Sequence, residues 1–423
     1  MGCQFSDELK FASPARGGWN LAHICSLIPE AHVLFATPPG CARIILLSAM
    51  EKGMSNRFSV LNLCDEDLVS GETEQLICEG AEEVLERLIK SNRRPRVFLI
   101  FVSCIDGFIG TDHAVYLNAL REKYPDIAFL DCAMDPINRA SGVPPIVRMH
   151  LNLTSLWERP KAASAANFIG SFLPPDGAQE LVQHLERNGY RVCHAAQCFR
   201  FAEQVAMGES ALNVVTHPTA IGAAKALEER LGQPWAPLMS QAVFEEFPAL
   251  YSQICSSLQI PQMDMERIAE QTDSVLKDAA KRLGGRPVMI DDGASTDPFA
   301  LTLCLLRHGF RVKRIFADGI PPLAKASYET LCLQYPQVEI VQGDLPEMAR
   351  AYREGRFLER GCVAIGETAA YLSHTRYFVP QIGFGGALGF HGLTELAENM
   401  ADSVEHPRDP VEILEGGRGC CAL

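Results

Sequence analysis

The chain has 423 residues, 47% of them hydrophobic, and a formal net charge of −14. That length predicts two or three domains with real cores. The acidic balance argues against nucleic acid and anionic membranes as partners, because no basic surplus is present to pair with phosphates.

No run reaches the ~18 apolar residues of a membrane span. Residues 1–8 are polar and acidic, without the basic and apolar segments of a secretory signal. A soluble, cytoplasmic protein is expected. Gly2 with Ser6 and the final Cys420-Cys421-Ala422-Leu423 formally match myristoylation and prenylation patterns, but both patterns are short enough to arise by chance. Fifteen cysteines are spread along the chain without a compact repeated spacing, which argues against a disulfide framework. Cys193, Cys304 and Cys332 lie inside apolar patterns and read as small buried hydrophobes.

After an irregular start, the run His32-Val33-Leu34-Phe35 predicts a strand that enters the turn Thr37-Pro38-Pro39-Gly40-Cys41 and leaves as a helix. Two prolines stiffen that turn, and Cys41 falls at a helix N-terminus, where free N–H groups favour a thiolate, the form that binds metal. Residues 58–63 predict the next strand, ending in Cys64-Asp65-Glu66-Asp67. A long helix over 72–91 leads to Val97-Phe98-Leu99-Ile100-Phe101-Val102, a continuous apolar run of the buried parallel type. That run ends in Ser103-Cys104-Ile105-Asp106 and a helix over 113–123; residues 127–131 predict one more strand. Two cysteines thus stand at the C-terminal ends of two strands, where open α/β sheets place their ligands.

The pattern breaks near Trp157-Glu158-Arg159-Pro160. Asn167-Phe168-Ile169-Gly170 opens a second unit, with a helix over 177–188, strands over 190–194 and 212–215, and the turn Thr216-His217-Pro218. One long amphipathic helical stretch over 244–283 closes it. A third unit starts at Gly284-Gly285, with strands over 287–290, 311–316, 338–342 and 362–365 and a helix over 298–308. The expected fold is α/β, three Rossmann-like open parallel-sheet domains over 1–160, 161–285 and 286–423, the last with a loose tail. No Gly-Xaa-Gly-Xaa-Xaa-Gly turn and no phosphate loop is present.

The ordered set Pro38-Pro39-Gly40-Cys41, Asp67-Leu68-Val69-Ser70-Gly71, Ser103-Cys104 with Ile109-Gly110-Thr111-Asp112, Asn167-Phe168-Ile169-Gly170, Gly232-Gln233-Pro234-Trp235 and Gly386-Ala387-Leu388-Gly389-Phe390-His391-Gly392 resembles the nitrogenase component 1 family over about residues 30–400. That family includes the MoFe protein subunits and the light-independent protochlorophyllide reductases. The resemblance implies an oxidoreductase component built as a homodimer, or as a heterodimer with a sister subunit. It implies a [4Fe–4S] cluster at the subunit interface, an ATP-dependent iron–sulfur reductase as electron donor, and a small-molecule substrate between the domains. ATP would bind the reductase and not this chain.

Residue by residue, Cys41 matches the family's Gly-Cys ligand and Cys104 the ligand of the strand-end turn. Upstream, where the family supplies a further cysteine, this chain has Ala15-Arg16-Gly17. Cys25 and Cys64 are the possible substitutes, Cys64 being the better because it ends a strand of the same sheet. Alternatively, Cys41 and Cys104 from each chain of a homodimer give the four thiolates such a cluster needs. The cysteine that anchors the nitrogenase cofactor falls near Thr216, and its histidine ligand near Ile382, so dinitrogen reduction is not expected.

His217 is the candidate catalytic proton donor, because imidazole titrates near neutrality, with capping of the helix at Pro218 as the structural alternative. His391 is a further candidate, and Asp291-Asp292 reads first as a helix cap. A second functional class remains open: a scaffold or maturation protein that binds a metallocluster or tetrapyrrole-like ligand without turnover.

Overall fold

The computed structural model describes residues 5, 27–51, 53–103, 105–133, 143–159, 161–239, 244–380 and 388–409. Cys25, Cys104, Ile382 and both lipidation patterns lie outside the described residues. So do residues 15–17 and most of the late glycine-rich stretch.

Three sheets follow one another along the chain, and every strand pair in them is parallel. The first contains β1 (Ala31–Thr37), β2 (Phe58–Asn62), β3 (Val97–Val102) and β4 (Ala128–Ala133), in the order β2-β1-β3-β4. The second contains β5 (Ala163–Ile169), β6 (Arg191–Cys193), β7 (Ser210–Val215) and β8 (Trp235–Pro237), in the order β6-β5-β7-β8. The third contains β9 (Pro287–Asp291), β10 (Arg311–Ala317), β11 (Glu339–Gln342), β12 (Val363–Ile365) and β13 (Phe378–Val379), in the order β11-β10-β9-β12-β13. Helices connect successive strands, as parallel crossovers require. The expected α/β class with three open parallel sheets is what the chain adopts.

Why β1 and β3 read as unbroken apolar runs is now evident. Both are central, and every residue of each is buried. Their alternate side chains serve two cores. Val33, Phe35, Leu99 and Phe101 pack with Met149, Trp157, Ile169 and Val215, which ties the first sheet to the second. Leu34, Ala36, Phe98 and Ile100 face the helices Thr73–Lys90 and His113–Lys123 through Ile77, Leu85, Tyr116 and Leu120.

A third cluster joins the second and third sheets. Phe168 and Val214 meet Val288, Ile290 and Ile365 around Phe390, whose ring stands edge-on to Phe247 at 4.9 Å. Phe390 opens the helix Gly389–Glu405, which packs along the helix Met265–Leu283.

The single helical stretch expected over 244–283 is divided. A 3-10 turn, Phe244–Glu246, precedes the helices Phe247–Leu258 and Met265–Leu283. Gln259 takes a left-handed φ of 56° and Pro261 follows it, so the backbone cannot continue the helix. No helix among the described residues is long and apolar enough to cross a membrane.

Candidate functional site

Each sheet reverses its strand order once: between β1 and β3, between β5 and β7, and between β9 and β12. Just beyond such reversals, helices leave on opposite faces and open a crevice at the strand ends.

In the first sheet β1 and β3 pair directly, with Ala36 opposite Val102. Cys41 follows β1 as the third residue of the helix Pro39–Glu51, its N–H bonded to the Pro38 carbonyl at 3.0 Å. It is half-buried, and no acidic residue stands in that first helical turn. On the other side of β1, β2 leads to Cys64, which caps the short helix Asp65–Val69. The Cys64 thiol is exposed and donates to Asp67 Oδ2 at 2.9 Å. That bond, with the neighbouring Glu66, raises the thiol's pKa. As a metal ligand Cys64 would have to lose its proton among Asp65, Glu66 and Asp67. Among the described residues no group of three or more His, Cys, Asp and Glu side chains converges as a metal site.

Next to this edge stands a charge network that the spacing did not signal. His113 Nε2 lies 2.5 Å from Asp106 Oδ2, and its Nδ1 lies 3.6 Å from Asp131 Oδ2 on β4. Arg148 Nη1 reaches the same Asp131 oxygen at 3.6 Å. The hydrogen bonds to Asp106 and Asp131 raise the His113 pKa to about 9, so the ring is an imidazolium at neutral pH. Asp131 is held below the usual carboxylate range, chiefly by His113.

The second sheet's reversal is packed with neutral histidines. Gly170 leaves β5 at φ 117°, and a Cβ there would fall 2.7 Å from the His217 backbone nitrogen, so only glycine lets the two strand exits approach. Thr216 is the residue near which the resemblance places the cofactor cysteine. Its hydroxyl donates to the Ile169 carbonyl at 3.0 Å and accepts from the Ser171 N–H at 2.9 Å. His217 caps the 3-10 turn Pro218–Ala220, with Nδ1 accepting from the Thr219 N–H at 3.2 Å. An Nδ1 that accepts carries no proton, so the neutral ring is the Nε2–H tautomer. Burial, then the proximity of His150, lowers the His217 pKa to about 3. The capping role expected as the alternative is therefore realised, and at neutral pH the ring carries no imidazolium proton.

His150, on the helix Pro145–Ser155, and His194, after β6, complete the group. Burial lowers both to about 4. His194 Nε2 lies 3.1 Å from the Ser171 carbonyl, and its Nδ1 accepts from the Ala196 N–H. His150 Nε2 is buried with no hydrogen-bond partner. Neither histidine stood out in the sequence, where each is one polar residue in an ordinary element.

The third reversal is filled by its own backbone. Asp291 accepts from the N–H groups of Ala294 at 2.9 Å and Ala369 at 2.8 Å. A Cβ on Gly366 would fall 2.3 Å from its carboxylate oxygens. Asp292 accepts from the Asp318 N–H, and Asp297 caps the helix Pro298–Arg307. His391 sits one turn into the last helix, its N–H on Glu180 and its Nε2 3.7 Å from Asp176.

No curated protein matches the chain by sequence. Among the solved structures that match it by fold are these two. One, described as "Nitrogenase Cp1 at pH 6.5", is 14% identical with a TM-score of 0.69 and covers 95% of this chain and 95% of its own. The other, "Nitrogenase Cp1 at pH 5", is 14% identical with a TM-score of 0.59 and covers 96% of this chain and 91% of its own. Residues 22–405 match the family described as "Nitrogenase component 1 type Oxidoreductase", and the chain belongs to that family.

Proposed function

We propose that the chain is the component of an iron–sulfur oxidoreductase that accepts low-potential electrons from an ATP-dependent [4Fe–4S] reductase and reduces a bound organic substrate other than dinitrogen. In this reading Cys41 and Cys104 are thiolate ligands at a subunit interface, in a homodimer or with a sister subunit, in the cytoplasm. A cluster bound there supplies one-electron transfer at low potential. The observation that carries the reading is the pairing of β1 with β3 at the first reversal, because each strand runs within a few residues into a candidate cysteine. Thr216 speaks against a nitrogenase-type cofactor, since its hydroxyl is already engaged by Ile169 and Ser171. His217, which follows β7 at the second reversal, is assigned to the substrate side of that sheet.

The test is anaerobic purification of the protein and of Cys41→Ser, with iron and sulfide measured per chain and the EPR spectrum of the reduced sample. About two irons per chain in a dimer, lost in the variant, is the expected result for one cluster shared by two chains. Iron-free protein, prepared with and without any sister subunit, overturns the reading. The second reading, a scaffold that holds a metallocluster or tetrapyrrole-like ligand without turnover, draws support from the low His217 pKa, which leaves that ring without an acidic proton at pH 7. Bound ligand that persists unchanged with reductase and ATP present would favour it.

A further inference from the structure

At the opposite end of the first sheet, the starts of β1, β2 and β3 meet the segment after β6 around a cavity of about 460 Å³. Arg57, Arg93 and Arg94 line it, on a chain whose net charge is −14. Arg94 is held by Asp126 through two bonds of 2.8 and 2.6 Å. Arg57 is fixed by the backbone carbonyls of Ala31 and Ile28. The Arg93 N–H bonds the Leu88 carbonyl at 2.9 Å, and its guanidinium has no hydrogen-bond or ion-pair partner among the described residues. Glu30, the one acidic residue of the lining, already accepts the Phe201 N–H at 3.0 Å.

The positive potential registers on a neighbour. Burial is the larger cause of the low His32 pKa of about 4, and Arg93 and Arg57 push it down further. Apart from Asn56 and His32, the remaining wall is mostly apolar. Leu88 contributes to it, and Phe199 stands beside it with its side chain 86% exposed, an aromatic face left open to solvent.

We propose that this cleft is a second ligand site, for a small organic anion whose carboxylate or phosphate is held by Arg93, with Arg57 adding positive charge beside it, while its planar body lies against Leu88 and Phe199. A guanidinium binds either head group through paired N–H donors, and an aromatic ring provides a stacking surface for a flat ligand. The site lies at the starts of β1, β2 and β3, at the opposite end of the first sheet from Cys41, so it stands or falls separately from the redox reading. A ligand bound there bridges the loops of the first sheet and residues 195–199 of the second.

Phenyl phosphate and benzoate share one planar body and differ in head group, and inorganic phosphate supplies the head alone. Calorimetric titration of the full chain with each is the test, with thermal unfolding as a second readout. At least one aromatic anion is expected to bind in the millimolar range or tighter, more tightly than inorganic phosphate and less tightly at high salt. Arg93→Gln, at an exposed position whose guanidinium has no partner among the described residues, should weaken that binding about tenfold or more. Phe199→Ala should weaken it severalfold, and Arg87→Gln, outside the cleft, should leave it unchanged. Binding of phenyl phosphate only assigns a phosphate head, and binding of benzoate only a carboxylate. No binding of either at about ten millimolar, or binding that survives Arg93→Gln, overturns the proposal.

Discussion

His113 and His217 both stand beyond the C-terminal edge of a parallel sheet, the first opening the helix His113–Lys123 and the second in the turn after β7, and their surroundings drive them to opposite charge states. His113 lies between two carboxylates at the partly open edge of the first sheet and keeps its proton up to about pH 9. His217 is enclosed with His150 at the second sheet and stays neutral down to about pH 3. A paired charge at one reversal and a buried neutral group at the other show that strand topology supplies the place and the packing supplies the chemistry.

The largest effect that tests this contrast is acid titration. His150, His194 and His217 have folded pKa values of about 4, 4 and 3, below the ~6.5 of an unfolded histidine. The unfolded chain then binds more protons between those limits, so stability must fall as pH drops from about 6.5 toward 4. At about 1.4 kcal/mol per pKa unit the three together amount to several kcal/mol. Urea unfolding at pH 7, 5.5 and 4.5 measures it, and His150→Phe should flatten the slope by about one proton. An unchanged slope in that variant would place His150 outside the neutral group.

Next in size is Gly170→Ala. Left-handed backbone strain and a clash with His217 that no side-chain rotation relieves predict a loss of about 3 kcal/mol or more. Chemical denaturation reads it directly. Loss below about 1 kcal/mol would mean that the two strand exits can separate without consequence.

At the first sheet the sign reverses. The His113 pKa is raised to about 9 by Asp106 and Asp131. Its contribution is complete below about pH 6.5 and is lost as pH rises through 9. Discounted for partial solvent screening, it is about 1–2 kcal/mol, and His113→Gln should abolish that alkaline decline. The smallest effect concerns Cys64. Asp67→Asn removes the carboxylate that holds its proton, so alkylation of Cys64 by iodoacetamide near pH 8 should quicken severalfold while overall stability changes little.

Central strands such as β1, β3 and β9 were legible because burial on both faces leaves a mostly apolar run. β8 and β13, three and two residues long, were not, because so short a segment carries no period. Cys41 was legible because a stiff turn and a glycine announce its place. The Asp106–His113–Asp131 network was not, since its members come from a helix start, the next helix and a separate strand, and only the parallel pairing of β3 with β4 joins them. His150 gave no signal at all. Its meaning depends on the helix Pro145–Ser155 lying against the turn after β7, a contact between distant segments.

Each sheet is complete before the next begins in the chain, but one closure waits until the end. Glu180, at the start of the helix Glu180–Arg187, accepts the N–H groups of Phe390 and His391 and the Tyr251 hydroxyl. During synthesis more than two hundred residues separate that carboxylate from its last partners. The nascent chain can assemble its sheets in order as they leave the ribosome, while the apolar seat of Phe390 between the second and third sheets stays open to water. Only when Gly389–Glu405 emerges does the seat fill, so a ribosome stalled shortly before that helix would carry an exposed hydrophobic surface that chaperones can recognise.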